Sequence, residues 1–429
     1  MGGGLLQLVA YGAQDAYLSG NPQITFWKGL FKRHTNFAME PFRINLTGQV
    51  GWGVKHSAII GRHADLLYHT YLDVTLPAGS VFNNDQARLG YNLIKYVELD
   101  IGGQVIDRLY GEWLYLWDTL TSDTRTALKL HQMVGVSAAP GTFTVPSTSS
   151  CVVGASGQPG LPTQVVIPLS FFYTKNPGCA LPLIALQYHE VKINILWNDI
   201  KFAAGNFNNT LAAPSAAVHI DYIYLDTEER RRMAQNSHEY LIEQLQYNED
   251  KGISSWSNRI DLTFNHPVKE LVWVVQPSEY TQCKLAQGLR ASATRLQPFT
   301  YDQNAVYEQH LQINGQDRLD RRYGQYYNTT QLYQHHTGSA HSIYASTNTI
   351  AAVAQPGIYG YSFALKPEEH QPSGTCNFSR IDTATLVMTF ANSATLSPET
   401  DQTYEVRVYA VNYNILRIMS GMGGLAYSN

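Results

Sequence analysis

Charge is scarce in this chain. Only 15% of its 429 residues are Asp, Glu, Lys or Arg, against about 25% in an ordinary soluble protein. Tyr occurs 28 times. A surface short of charge and rich in Tyr, Asn, Gln and Thr suits a protein packed against other proteins, because interfaces enrich aromatics and deplete Lys and Glu. An ordinary β-rich globule has the same composition, so composition leaves both readings open. The formal net charge of −4 excludes a broad basic surface for nucleic acid. The one dense basic run, Arg230-Arg231-Arg232, follows Glu228 and Glu229. On a helix Glu228 stands four residues before Arg232, which predicts a self-paired, solvated face.

Cysteine is as sparse. Cys151, Cys179, Cys283 and Cys376 show no CxxC spacing, which excludes a dense disulfide framework and a zinc site of that pattern. Free thiols in a reducing compartment are expected. No run approaches the roughly 18 consecutive apolar residues of a membrane span. The opening MGGGLLQLVAYGAQDAYLSG lacks the basic start and long apolar core of a secretory signal. Leu6 stands where an N-myristoylation pattern needs Ser or Thr.

Catalytic signatures are missing too. HEYLI (238–242) begins like a zinc-protease helix, but Ile242 replaces the second His. His189 and Glu190 enter a strand and read as structural. His335, His336 and His341 could hold a metal, but no carboxylate or cysteine lies near them in sequence. GMGG near the end is no dinucleotide fingerprint, and neither G-x-S-x-G nor a P-loop occurs. No cofactor is expected, and the chain reads as a non-enzyme. Asn-x-Ser/Thr sequons stand at Asn45, Asn208, Asn328 and Asn377, a number that chance alone supplies.

What is present is β pattern, twice over. In VKINILW, Val191, Ile193, Ile195 and Trp197 alternate with polar residues; in ATLVMTF, Ala384, Leu386, Met388 and Phe390 do the same. The stretch Ile101-Gly102-Gly103-Gln104, followed by Asp107-Arg108-Leu109-Tyr110-Gly111, returns as Ile313-Asn314-Gly315-Gln316 with Asp320-Arg321-Arg322-Tyr323-Gly324. Phe37-Ala38-Met39-Glu40 resembles Tyr240-Leu241-Ile242-Glu243, and residues 168–183 have a looser echo at 361–376. An ordered set of landmarks half a chain apart means duplication of a whole domain, not a solenoid of short repeats. Two all-β sandwiches in tandem, each a jelly roll, fit the size and strand density. Gly103 and Gly315 predict tight hairpins, with Gln104 and Gln316 resuming the strand. Asp107 and Asp320 then read as local ion pairs or turn caps beside their arginines. A short linking helix is expected at 226–240, between a first roll over 28–225 and a second over 241–429. Long loops are expected at 135–165 and 337–357.

The chain resembles the major capsid proteins of large nucleocytoplasmic DNA viruses, the algal chlorovirus type above all. GGGLLQLVAYGAQDAYLSGNPQITFWK, RHTNFAME, VELDIGGQVID, NPGCALPLIALQYHEVKI, DYIYLDTEERRRMAQNSHEYLIEQLQ, FNHPVKELVW, LQINGQDR, YSFALKPEEHQPSGTCNFSRIDTATL and NYNILRIMSGMGGLAYSN carry the resemblance in order. The stretches 135–165 and 280–310 match poorly. The resemblance implies a double jelly roll, a homotrimer forming a pseudo-hexagonal block, and an icosahedral shell assembled in the host cytoplasm. It implies neighbouring capsomers, minor capsid and penton proteins as partners, an inner membrane beneath the shell, and no direct contact with nucleic acid.

Two assembly segments follow as expectations. Residues 1–27, with Leu5, Leu6, Leu8, Tyr11, Phe26 and Trp27, form an arm that orders against a partner, unless residues 21–27 make a first strand of their own domain. The terminal segment with Ile415, Ile418 and Met419 is too apolar for a free tail and caps the inner face or a neighbour. The competing class is a carbohydrate-binding or carbohydrate-active tandem sandwich, which needs a shallow aromatic pocket or a pair of carboxylates in a cleft.

Overall fold

The computed structural model describes residues 2–76, 89–135, 164–199, 213–278, 305–338, 357–390 and 403–427. Cys151, Cys283, Asn208, His341, most of the expected loops 135–165 and 337–357, and most of the poorly matching stretch 280–310 lie outside them. Residues up to Asn36 form one compact unit and Phe37–Asn429 another.

The larger unit holds four antiparallel sheets. In chain order the first half supplies β1 (Phe37–Asn45), β2 (Lys55–Ile59), β3 (Leu66–Thr75), β4 (Ile94–Ile101), β5 (Gln104–Tyr110), β6 (Gln164–Pro168), β7 (Leu181–Pro182), β8 (Val191–Trp197) and β9 (Ser215–Leu225). The second supplies β10 (His238–Ile253), β11 (Ser257–Asp261), β12 (Pro267–Pro277), β13 (Val306–Ile313), β14 (Gln316–Asp317), β15 (Arg322–Tyr323), β16 (Ile358–Ser362), β17 (Cys376–Asn377), β18 (Ala384–Phe390), β19 (Tyr404–Met419) and β20 (Met422–Leu425). The first half pairs as β1-β9-β3-β6 and β2-β8-β4-β5; the second as β10-β19-β12-β16 and β11-β18-β13-β14. The two orders are the same pattern. Each is the double-sheet Greek-key arrangement of a jelly roll, so the duplication is one of topology as well as of sequence.

The repeated stretch makes the same turn in both rolls. Gly102 and Gly103 have φ of +62° and +87°, and Asn314 and Gly315 have +51° and +76°. Two successive positive φ values define the primed turn that suits strand twist. Gln104 then pairs with Ile101, and Gln316 with Ile313. The tips are tied alike: Gly102 N–H donates to the Glu190 carbonyl (2.9 Å), and Asn314 N–H to that of Thr383 (2.8 Å). Glu190 and Thr383 each immediately precede the equivalent strands β8 and β18.

Burial follows the alternation. In β18, Ala384, Leu386, Met388 and Phe390 are buried and the residues between them are not. The strand β12 differs: Val268 through Pro277 are all buried. Leu271, Trp273 and Val275 belong to the core of the second roll, while Val272 and Val274 join the core of the first. A continuous apolar run is the signature of a strand covered on both faces, and here the second cover is the first roll.

The linking helix spans Thr227–Gln235 and buries none of its residues. Its basic run is not simply self-paired, however. Arg230 Nε lies 2.9 Å from Asp65 Oδ1, and Asp65 Oδ2 accepts the Leu225 N–H (2.9 Å). Asp65 is nearly buried at the foot of β3, so the helix is pinned to the first roll by a charge-assisted contact that local spacing cannot reveal. HEYLI lies in β10, extended rather than helical.

Candidate assembly interface

The two rolls of one chain meet across the outer face of the β10-β19-β12-β16 sheet, which lies against β5 and the helix Gly111–Thr121 of the first roll. The Tyr110 ring lies tilted 4.6 Å from that of Tyr247 and edge-on 6.3 Å from that of Tyr409, and the Trp113 ring lies tilted 5.4 Å from that of Tyr409. Arg407 forks onto Glu112 at 2.7 and 2.8 Å and also reaches Glu405 at 3.1 Å. Gln244 Nε2 donates to the Ile106 carbonyl. Glu243 sits between Lys175 of the first roll (2.7 Å) and Lys269 of the second (2.6 Å), and the two lysines lie over Trp117 at 4.8 and 6.0 Å. Aromatics at the centre with paired charge around them match the build of a specific protein–protein interface.

Asp107 takes part in this contact and forms no local ion pair. Its Oδ1 accepts N–H groups from Arg108 (2.9 Å) and from Leu245 of β10 (3.1 Å). The Arg108 guanidinium turns to Glu98 instead (2.6 Å). Burial pushes the Asp107 carboxyl up to about 6. A raised carboxyl pKa favours the protonated fold, so its contribution is present below the unfolded value near 4 and is lost as pH rises through about 6. Asp107→Asn keeps an acceptor oxygen without the charge. We expect it to be stabilised by about 2 kcal/mol at pH 7.5 and by little at pH 4, read from urea midpoints at both pH values. Equal midpoints at pH 7.5 would remove the burial argument.

The repeat counterparts stand in the opposite environment. Asp320 is exposed. Tyr323, the counterpart of Tyr110, is 62% exposed and has Tyr307 edge-on at 5.3 Å. Tyr333, on the helix Gln331–His335, is 88% exposed. Conversely, among the described residues no strand of the second roll packs on the outer face of the β1-β9-β3-β6 sheet. There Arg43, His219 and Tyr71 form one cross-strand row, beside Asp73, which lies 3.4 Å from His219. Each roll thus has a receiving edge and a covering face, and one of each is occupied within the chain.

Residues 25–226 match the family model described as major capsid protein N-terminus, and residues 229–424 match the large eukaryotic DNA virus major capsid protein. The matches meet at the linking helix. The chain is 46% identical to the major capsid protein of Pyramimonas orientalis virus and 39% identical to that of Paramecium bursaria Chlorella virus 1, each over the full length of both chains. The solved VP54 of the latter virus superposes with a TM-score of 0.74 at 35% identity, over 94% of this chain and all of that one. The chain belongs to the major capsid proteins of large eukaryotic DNA viruses. A Faustovirus major capsid protein, at 10% identity and TM-score 0.66, shares the fold.

As a capsid protein it is a structural component of the virion and not an enzyme, and the double jelly roll is the family's fold. Nothing favours the carbohydrate alternative. Among the described residues no three His, Cys, Asp or Glu side chains gather as a metal site. His336 does meet carboxylates that the sequence places far away: Glu368 at 3.1 Å and Glu270 at 3.4 Å. His189 holds the tail through Gly423, whose carbonyl lies 2.9 Å from Nδ1. Cys179 and Cys376 are free thiols.

The tail of the capsid protein is docked on its own first roll. Ile418 is 1% exposed and, with Ile415, pairs with the start of β10. A hairpin at Ser420-Gly421 returns β20 along β19, and Tyr188 N–H donates to the Gly421 carbonyl (2.9 Å). Ile418 is therefore already covered within the chain; Met419, 49% exposed, stays open to a neighbour. The arm has helices at Gly3–Val9 and Asp15–Ser19 with no buried residue. Leu5, Leu6, Leu8, Tyr11, Phe26 and Trp27 are exposed by 57, 57, 79, 62, 88 and 94%, and residues 21–27 form no strand. Of the sequons, Asn45 is exposed, Asn377 caps a turn by accepting from Ser379 N–H (3.0 Å), and Asn328 is buried, which excludes it as a glycan site in the folded chain.

Proposed function

We propose that three copies of this capsid protein close into a ring of six sandwiches, a pseudo-hexagonal block that tiles an icosahedral shell. One observation carries the reading: Asp107 and Tyr110 are covered by the second roll, while Asp320 and Tyr323, the same residues of the repeat, are bare. A head-to-tail contact either closes into a ring or runs on as a filament. If the contact within the chain repeats between chains, the outer face of β1-β9-β3-β6 of one copy covers Tyr323 of the next. In that arrangement Asp320 accepts a backbone N–H from the edge strand β1, as Asp107 does from the edge strand β10. With six alternating rolls, two from each chain, the closed ring is three chains.

The exposed apolar residues of 1–27, and Met419 beside the tail hairpin, suit contacts made on shell assembly, where ordering entropy is offset by burial. Minor capsid and penton proteins and an inner membrane are the expected neighbours. Free thiols fit assembly in the host cytoplasm.

The test is the mass in dilute solution, by light scattering after size exclusion, of the native protein, Tyr323→Asp and a deletion of residues 2–20. The native chain of 48.0 kDa is expected near three times that mass. Tyr323→Asp is expected to be monomeric at micromolar concentration, since a buried unpaired charge at an interface centre costs several kcal/mol. The deletion is expected to stay trimeric and to impair shell assembly. A native monomer, or a Tyr323→Asp trimer as stable as the native one, overturns the reading.

A further inference from the structure

The segment that follows the arm helices has a chemistry that contact between copies leaves unused. From Ala16 to Met39 the chain has no acidic residue, while Lys28, Lys32 and Arg33 fall close together. This stretch carries +3 in a chain of net −4, so the remainder carries −7. Among the cations stand Ile24, Phe26, Trp27, Leu30 and Phe31, exposed by 63, 88, 94, 70 and 95%. Residues 20–36 form neither helix nor strand.

We propose that residues 24–34 bind an anionic lipid surface. Trp and Phe with adjacent Lys and Arg are the side chains that settle at the headgroup level, rings against the acyl boundary and cations on the anionic headgroups. A backbone outside helix and strand cannot enter hydrocarbon, where most of its N–H and C=O groups find no partner, but the hydrated headgroup region satisfies them. The contact is therefore peripheral, with the rings as shallow anchors. Single-stranded nucleic acid also attracts cations and aromatics, yet Ile24 and Leu30 have no flat face for a base, and three cations are few for a phosphate chain. The proposal rests on the shell-subunit reading only for where such a surface is met: beneath the shell.

The experiment is flotation of the full-length protein with vesicles of phosphatidylcholine alone or with about 30 mol% phosphatidylserine, at low and high salt. The native protein is expected to float with the anionic vesicles and to lose that binding in salt. A Lys28→Ala, Lys32→Ala, Arg33→Ala variant should bind about a hundredfold more weakly, at roughly fivefold per cation. A Phe26→Ala, Trp27→Ala, Phe31→Ala variant should bind weakly at every salt concentration. Light-scattering mass is read on the same samples, so loss of the trimer is distinguished from loss of lipid binding. No anionic preference in the native protein, unchanged flotation of both variants, or tighter binding to single-stranded DNA than to the vesicles overturns the proposal.

Discussion

Gly111→Ala is expected to destabilise the first roll by about 3 kcal/mol or more, and Gly324→Ala the second by somewhat less. These glycines end the two copies of Asp-Arg-x-Tyr-Gly, and the structure gives both the same task. A Cβ on Gly111 would overlap the carbonyl oxygens of Tyr91 and Ile94; one on Gly324 would overlap that of Val306. Ile94 and Val306 open the equivalent strands β4 and β13. After each hairpin the chain passes so close to the start of the preceding strand that only a hydrogen fits. The Tyr91 oxygen is held in the helix Leu89–Leu93 and the Ile94 and Val306 oxygens at the starts of strands, so none can swing aside as a flexible side chain can, and relief requires moving the helix that follows. Two obstructing carbonyls against one make Gly111 the costlier site. At about 2–4 °C per kcal/mol for rolls of this size, Gly111→Ala should lower the melting temperature by about 6–12 °C in differential scanning calorimetry. Gly2→Ala, with nothing near it, should leave it unchanged. A shift under about 2 °C for both repeat glycines would mean that the close approach is not a constraint.

The fold was legible in the sequence wherever the cause was local. Gly-Gly and Asn-Gly accept two successive positive φ values at little cost whatever surrounds them, and the alternation in 191–197 and 384–390 shows a half-buried strand without further context. The duplication was legible because its landmarks keep their order. Roles decided by the neighbouring roll were not. Asp107 and Asp320 read alike in sequence and differ in the structure, because the N–H that Asp107 accepts belongs to Leu245, 138 positions on. The carboxylates beside His336 come from β12 and from the segment after β16, and Asn328 is withdrawn from its sequon by burial. The uninterrupted apolar stretch 271–275 within β12 did carry a legible sign of double coverage, since a strand with one wet face alternates.

Glu243→Gln is expected to cost about 3–4 kcal/mol, because it leaves two ammonium groups facing each other at the junction of the rolls. Lys269 is wholly buried, and Lys175 is 27% exposed. Burial by itself raises the Glu243 carboxyl pKa, but the two lysines outweigh it and hold the group at about 2. The sign of the linkage follows: a depressed carboxyl stabilises the fold above its unfolded value near 4.5, and that contribution fades as pH falls toward 2. The difference between native and Glu243→Gln urea midpoints should therefore be largest at neutral pH and shrink below pH 4. Replacing both Glu243 and Lys269 by Met should cost much less than Glu243→Gln, since an apolar pair fills the volume and Lys175 can extend its ammonium to water. If the double variant is as unstable as the single one, the loss is packing rather than unpaired charge. If it is stable but fails to form the proposed trimer, the triad sets the angle between the rolls on which closure of the proposed ring depends.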